Sequence, residues 1–395
     1  MDTWRQVSVI ALLMLMMAQP ATAQTRPTEP AQKGDLRPTM QAIFQALTTV
    51  LPLSLSAETF QDTANRQRLH EALQALSRHA MQLTQHGQQV PADFDFLRRS
   101  LRDDAQNAFE LFESESFEES RFILHHLTDN CFLCHSRLPS SRPFPLGKRF
   151  LEQMPMQQLE PHERMRLAVA VRQFDTALAT CETLFRSPEI PAAQIDLMAL
   201  FEDYLRIAIR VHDDFSRAIH TLETFQRRPD VPQYLSHYLT VWIEALNALQ
   251  ADSSREPSRE NELTRARSLI QQGQRRNRYL ADRQGLVYFT LASGLLHRFV
   301  DSSATTKPHL AEAYYLLGVA ESYMPRTSWI SETEFYLETA VRLAPTSPFG
   351  KKAFTFLEEY LIMGYSGSSG LDLPSDIEKR LDDLRSLVKN PSVEK

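Results

Sequence analysis

The sequence predicts an all-α protein in which a four-helix bundle is followed by an α-solenoid of shorter helices. Only 11 of the 395 residues are glycine, well below the usual share of about 7%, which disfavours barrels and glycine-rich phosphate loops. Residues 35–148 contain four long segments with apolar side chains at helical spacing. The later part of the chain repeats itself, as stacked helical hairpins do.

The first residues predict an export signal. Residues 7–17 form a short apolar run, and Ala21, Thr22 and Ala23 follow it in the small-x-small pattern of a signal-peptidase site. We therefore expect residues 1–23 to be a signal peptide cleaved after Ala23, residues 24–34 to be a flexible lead, and the protein to be periplasmic. The run is shorter than the roughly 20 residues of a membrane span, so no membrane span is expected.

The bundle helices are predicted in chain order. The first carries Leu36, Met40, Ile43, Phe44 and Leu47 on one face and is expected to end at Pro52. The second covers about residues 63–86, the third begins near Pro91, and the fourth covers about residues 117–135. Short polar connections favour an up-down-up-down bundle. Residues 138–147, with three prolines and two serines, are predicted to be a linker.

A repeat begins after residue 160. Residues 173–188 and 214–229 align at an offset of 214 − 173 = 41. Seven positions are identical: Phe174/Phe215, Ala177/Ala218, Thr180/Thr221, Glu182/Glu223, Thr183/Thr224, Arg186/Arg227 and Pro188/Pro229. The small residue allows two helices to approach each other, and the proline ends the helix. Cys181 lies where the second copy has Leu222, which predicts a buried thiol without a catalytic role.

Two further units are predicted over residues 263–298 and 311–348. The last unit has a Leu-Gly pair in its first helix and ends its second in Leu-Ala-Pro, which resembles a tetratricopeptide repeat (TPR). The spacing departs from about 34 residues, so we describe residues 160–365 as TPR-like. The resemblance implies a concave surface that binds a protein partner. Residues 366–395 are predicted to be a hinge and a C-terminal helix.

One motif carries chemistry. Cys131, Cys134 and His135 form CxxCH, the attachment pattern of haem c. The two thiols add to the vinyl groups of the haem, and the next residue reaches the iron. A zinc site would need two further ligands, and there is no second cysteine pair. A thioredoxin-type pair needs a strand–helix–strand setting, and a disulfide leaves His135 unexplained.

The position of the motif at the end of a fourth helix resembles the class II c-type cytochromes, the cytochrome c′-like bundles, over about residues 35–140. The resemblance implies one covalent haem c on Cys131 and Cys134, with His135 as the proximal iron ligand. It makes Arg137 a candidate contact for a haem propionate and Met40 the candidate distal ligand. Further candidates for the distal position are Met81, His79, His86 and Phe94. Class II cytochromes often pair through their helices, which makes a homodimer a further expectation.

The predicted function is that of a periplasmic monohaem c-type cytochrome that transfers electrons and docks a redox protein through its TPR-like region. If Met40 does not bind the iron, the alternative is a five-coordinate haem protein that binds or senses NO or CO. A third alternative is a secreted scaffold in which the repeats do the work. The net charge of −6 gives no indication of nucleic acid binding. No catalytic triad, HExxH motif or calcium loop is present, so an enzyme is not predicted.

Overall fold

The computed structural model describes residues 36–85, 92–137, 144–194, 197–252, 259–279, 281–302, 306–324, 332–368 and 370–389. The predicted signal peptide, the flexible lead and most of the predicted linker lie outside these residues. Contacts within the chain assign the part from Leu36 onward to one compact unit. The described residues contain seventeen α-helices and one two-stranded hairpin, so the all-α prediction is confirmed.

Five helices cover the first part of the described chain: α1 (Arg37–Ser54), α2 (Ala57–Gln61), α3 (Thr63–Gln85), α4 (Ala92–Glu113) and α5 (Phe117–Arg137). Neighbouring pairs pack against each other in the order α1–α3, α3–α4 and α4–α5, and α1 also contacts α5. Pro52 does not end the first helix, because α1 continues to Ser54, whose hydroxyl donates to the Leu51 carbonyl. The short helix α2 was not predicted.

Twelve helices follow: α6 (Pro145–Gln153), α7 (Pro161–Ala170), α8 (Phe174–Arg186), α9 (Leu197–Arg210), α10 (Phe215–Gln226), α11 (Gln233–Asp252), α12 (Arg259–Arg276), α13 (Leu286–Val300), α14 (Lys307–Ser322), α15 (Glu332–Leu343), α16 (Pro348–Tyr365) and α17 (Ser375–Lys389). Strands β1 (Ser366–Gly367) and β2 (Gly370–Leu371) pair antiparallel between α16 and α17. Within the described residues, no helix is long and apolar enough to cross a membrane.

Successive helices of the repeat region pack as neighbours, notably α7 with α8, α10 with α11, α12 with α13 and α14 with α15. The predicted burial of the Cys181 thiol is confirmed, and Leu222 is fully buried at the same position of α10. Gly318 brings α14 close to α15, since a Cβ atom at this position would lie 2.6 Å from the Leu337 side chain. The glycine at position 318 therefore permits the close packing of α14 and α15.

Helix α5 joins the first helices to the repeat region. It packs against α7 and α9, and α4 packs against α15, where Phe96 and Phe335 stack with their ring centroids 4.3 Å apart. Phe132 and Leu133 of α5 are buried in the same apolar core as the side chains of α8 and α9. The guanidinium groups of Arg166 and Arg206 lie 5.5 Å and 6.0 Å from the Phe132 ring. The repeat region thus holds the helix that carries the CxxCH motif.

Candidate cofactor site

The CxxCH motif occupies the last two turns of α5. Glu118 and Glu119 lie in the first turn of this helix and His135 and Arg137 in the last, an arrangement that complements the helix dipole. Successive residues of an α-helix are rotated by about 100°. Cys131 therefore lies between Cys134 and His135 on the helix surface, and all three positions fall within about 100° of its circumference. The three motif positions therefore share one side of the helix.

A cavity of about 350 Å³ opens beside this face, between α1, α5, α6 and the end of α7. Its size falls in the usual range of ligand pockets, about 300–1,000 Å³. Most of the wall is apolar. The lining residues are Leu36, Arg37, Met40, Gln41, Phe44, Leu47, Leu51, Thr128, Cys131, His135, Phe144, Phe150, Leu167, Ala170, Val171 and Arg172. The structure therefore brings Cys131, His135 and Met40 together around one cavity.

His135 has the environment of a neutral imidazole. Burial, together with the positive charge of Arg172, lowers its pKa to about 4, although the carbonyl groups of Val169 and Ala170 act in the opposite direction. Its Nδ1 atom is buried and accepts or donates no hydrogen bond within the described part of the chain. A metal-binding histidine is neutral and offers the metal a ring nitrogen that makes no other hydrogen bond. The residues present thus fit an axial ligand of a haem iron.

The two motif cysteines differ in their surroundings. Cys131 is 8% exposed, and its Sγ atom lies 3.7 Å from the Leu127 carbonyl oxygen, to which it donates. Burial raises the pKa of this thiol to about 12. Cys134 is half-buried and packs against the core that contains the repeat helices. Cys131 lines the cavity, whereas Cys134 is not among its lining residues.

Among the candidates for the distal iron ligand that lie in the described residues, Met40 lines the cavity. It lies in the first turn of α1 and is half-buried. Met81 is 42% exposed on α3, and His79 on the same helix contacts Gln82 through its Nδ1 atom. Phe94 lies under the Arg98 guanidinium, 5.4 Å from its ring centroid. His86 lies outside the described residues.

Arg137 is not brought to the cavity. It is 7% exposed, forms an ion pair with Glu332 of α15, and lies over the Tyr336 ring with its guanidinium carbon 5.5 Å from the centroid. It lies two positions after His135, a rotation of about 200° around the helix. It therefore faces the repeat region, and its position does not support the predicted contact with a haem propionate.

Sequence reasoning missed several cavity residues. Phe144 lies at the end of the predicted linker and Phe150 on α6, and their ring centroids lie 5.0 Å and 5.8 Å from that of Phe44. The two cationic side chains at the cavity, Arg37 and Arg172, were also missed. The spacing of Leu146, Phe150 and Leu151 was an available helical signal for α6. The sequence offered no comparable signal for Arg172, which immediately precedes the aligned segment 173–188.

A second cavity, of about 200 Å³, adjoins the first and shares Leu51, Thr128 and Leu167 with it. His125, His126 and His162 line this second cavity. Arg166 bridges Asp129 and Asp203 at its edge, with nitrogen–oxygen distances of 2.6 Å and 2.9 Å. In the described ranges, no three or more His, Cys, Asp and Glu side chains are grouped as metal ligands.

No protein-family model, curated protein or solved structure matches the chain.

Proposed function

We propose that this protein is a periplasmic monohaem c-type cytochrome that transfers electrons, built as a haem-binding four-helix bundle followed by a TPR-like solenoid. The observation that carries the proposal is the convergence of Cys131, His135 and Met40 on one largely apolar cavity. The motif alone gives three residues on one helix. Met40 comes from α1, a separate helix, and adds a thioether of the kind that binds haem iron in many cytochromes.

Each residue has a distinct part in this proposal. The thiols of Cys131 and Cys134 would hold the haem through two thioether bonds, and His135 would supply an imidazole nitrogen to the iron. A haem bound in this way supplies one-electron chemistry. Phe44, Leu47 and the other apolar wall residues exclude water, which favours the less charged state of a buried redox centre. The buried Phe132 keeps the motif helix fixed against α7 and α9.

We also propose that the TPR-like region docks a redox protein. The support is that α5 packs directly on α7 and α9. A partner held by the repeat region would therefore be held close to the haem-binding helix, which suits the short distances of electron transfer. The repeats would thus determine the partner, and the cavity would determine the redox chemistry.

The test is an optical spectrum of the full-length protein, produced together with a haem c maturation system. We expect haem that stays attached under denaturing conditions and a low-spin spectrum that CO does not change. The matched control is the double variant Cys131→Ser, Cys134→Ser, which should carry no covalent haem. A wild-type chain without covalent haem contradicts the proposal. A high-spin spectrum that changes with CO would instead favour a protein that binds NO or CO.

A further inference from the structure

The cavity beside the CxxCH motif combines an apolar wall with two cationic side chains. Ten of its sixteen lining residues are Leu, Phe, Met, Ala or Val, and two, Arg37 and Arg172, have positively charged side chains. Among the described lining residues there is no carboxylate. A ligand that matches this surface has a large apolar body and acidic groups at one side.

Arg172 has an unusual backbone conformation. Its φ angle is +59°, in the left-handed region that favours glycine, which is the common residue at this point after a helix. The Arg172 N–H donates to the Val169 carbonyl at 2.8 Å, and the Gln173 N–H donates to the Ala168 carbonyl at 2.8 Å. This turn closes the end of α7.

The turn is fixed from the neighbouring helix. The Gln173 side-chain amide donates to the Phe144 carbonyl at 3.0 Å. Gly147 of α6 lies so close that a Cβ atom there would overlap the Val171 carbonyl oxygen. These contacts hold Val171 and Gln173, the two residues on either side of Arg172. The Arg172 side chain therefore leaves the backbone at a defined position on the cavity wall. Positioning of this kind is what a binding residue needs.

We propose that Arg172, together with Arg37, binds the two carboxylates of the haem and raises its reduction potential. This inference rests on the proposed function. A guanidinium group pairs with a carboxylate through two parallel hydrogen bonds, and a haem has two propionate groups on an otherwise apolar ring. A positive charge at this place also favours the reduced state, which carries one positive charge fewer than the oxidised state.

The inference gives the repeat region a direct part in the site. Arg172 follows the first repeat helix, outside the four long helices α1, α3, α4 and α5. It replaces Arg137 as the predicted propionate contact, since Arg137 is paired with Glu332. The haem would then be attached to one part of the chain and held by its carboxylates from another.

The experiment is a potentiometric titration of the full-length haem-bearing protein and its variants. Arg172→Gly relieves the left-handed backbone and removes the charge, and we expect the equilibrium for reduction to weaken about tenfold, which is 59 mV for one electron. Arg172→Lys retains the charge and should stay nearer to the wild-type potential. Arg37→Gln should lower the potential in the same direction.

The matched control is Asp213→Gly, which relieves a left-handed residue of φ +52° away from the cavity. It should leave the potential unchanged. The inference is overturned if Arg172→Gly, with its haem attached, has the same potential as Asp213→Gly and wild type. A wild-type chain without covalent haem would overturn the proposed function and this inference with it, so the two failures are distinguishable.

Discussion

Arg172 and Asp213 occupy the same left-handed turn in two successive helical hairpins. Their φ angles are +59° and +52°, and they are separated by 213 − 172 = 41 residues, the offset of the sequence repeat. Asp213 is exposed before α10, whereas Arg172 lines the cavity before α8. The first hairpin thus uses a turn that belongs to the repeat to present a cation to the cavity. The proposed site therefore depends on the repeat architecture as well as on the CxxCH helix.

We predict that Gly318→Ala destabilises the protein by about 1–3 kcal/mol. The added Cβ atom would lie 2.6 Å from two carbons of the fully buried Leu337 side chain, so α14 and α15 would have to separate. Urea unfolding followed by circular dichroism measures the change. The control is Gly364→Ala on α16, where a Cβ atom meets nothing within 4 Å and helix propensity favours alanine by about 1 kcal/mol. Equal stability of the two variants would contradict the close approach of α14 and α15.

Asp104 predicts a pH dependence of stability. Burial raises its pKa to about 6, against an ordinary value of 3.8. Because the folded state binds this proton more tightly than the unfolded state, the contribution of Asp104 to stability falls as the pH rises from about 4 to about 6. At pH 7 we expect Asp104→Asn to be more stable than wild type by about 1–2 kcal/mol, after allowance for partial solvent exposure. Below pH 4 the two proteins should be equally stable.

The same substitution suits its surroundings. Asn130 Nδ2 donates to Asp104 Oδ2 at 2.6 Å, and the Asn130 Oδ1 atom is buried and makes no hydrogen bond to any described residue. An asparagine at position 104 can accept the first bond and donate to that oxygen. The control is Asp103→Asn, an exposed neighbour that pairs with Arg102, and chemical unfolding between pH 4 and pH 7 measures both variants. A stability difference for Asp104→Asn that does not change with pH would contradict the argument.

Arg137 is predicted to stabilise the fold without affecting the proposed redox centre. Arg137→Leu leaves the carboxylate of Glu332, whose side chain is 11% exposed, without this ion pair, and we expect a loss of about 3 kcal/mol. The exposed pair of Arg227 and Glu223 gives the control Arg227→Leu, which should cost less than about 0.5 kcal/mol. Adding Glu332→Gln to Arg137→Leu should recover part of the loss.

A second measurement separates this structural role from the predicted propionate contact. The haem of Arg137→Leu should keep the wild-type reduction potential, because the guanidinium faces α15 and the Tyr336 ring. A fall in potential as large as that expected for Arg172→Gly would mean that Arg137 does contact the haem. Arg172→Gly is therefore expected to lower the potential, and Arg137→Leu is expected to lower the stability without changing the potential.

Local patterns in the sequence were sufficient to predict much of the helical structure. The predicted second helix differs by one residue from α3, because a regular apolar face is a local signal. The aligned phenylalanines Phe174 and Phe215 each begin a helix, α8 and α10. The effect of Pro52 was misjudged by two residues, because a proline lacks only its own N–H hydrogen bond, and α1 ends shortly after it at Ser54.

The candidate site could be predicted only in part, since it combines local and distant residues. Cys131 and His135 followed from one motif, and Met40 followed from the resemblance to a bundle of known arrangement. Arg172 is distant in sequence from the motif, and it lines the cavity because α7 packs on α5. Arg137 lies two positions after His135, so helix geometry places the two side chains on opposite sides of α5. This could have been predicted from the sequence.

Met40 gives the prediction that decides between electron transfer and gas binding. If its thioether binds the iron, Met40→Ala should open one coordination position, turn the spectrum from low-spin to high-spin, and make the reduced protein bind CO. Met40→His should keep a low-spin spectrum with a lower reduction potential, since imidazole in place of a thioether lowers the potential. Met81→Ala is the matched control, because Met81 is 42% exposed on α3. If wild type already binds CO and Met40→Ala does not change its spectrum, Met40 is only a wall residue of the cavity, and the open iron position favours the gas-binding alternative.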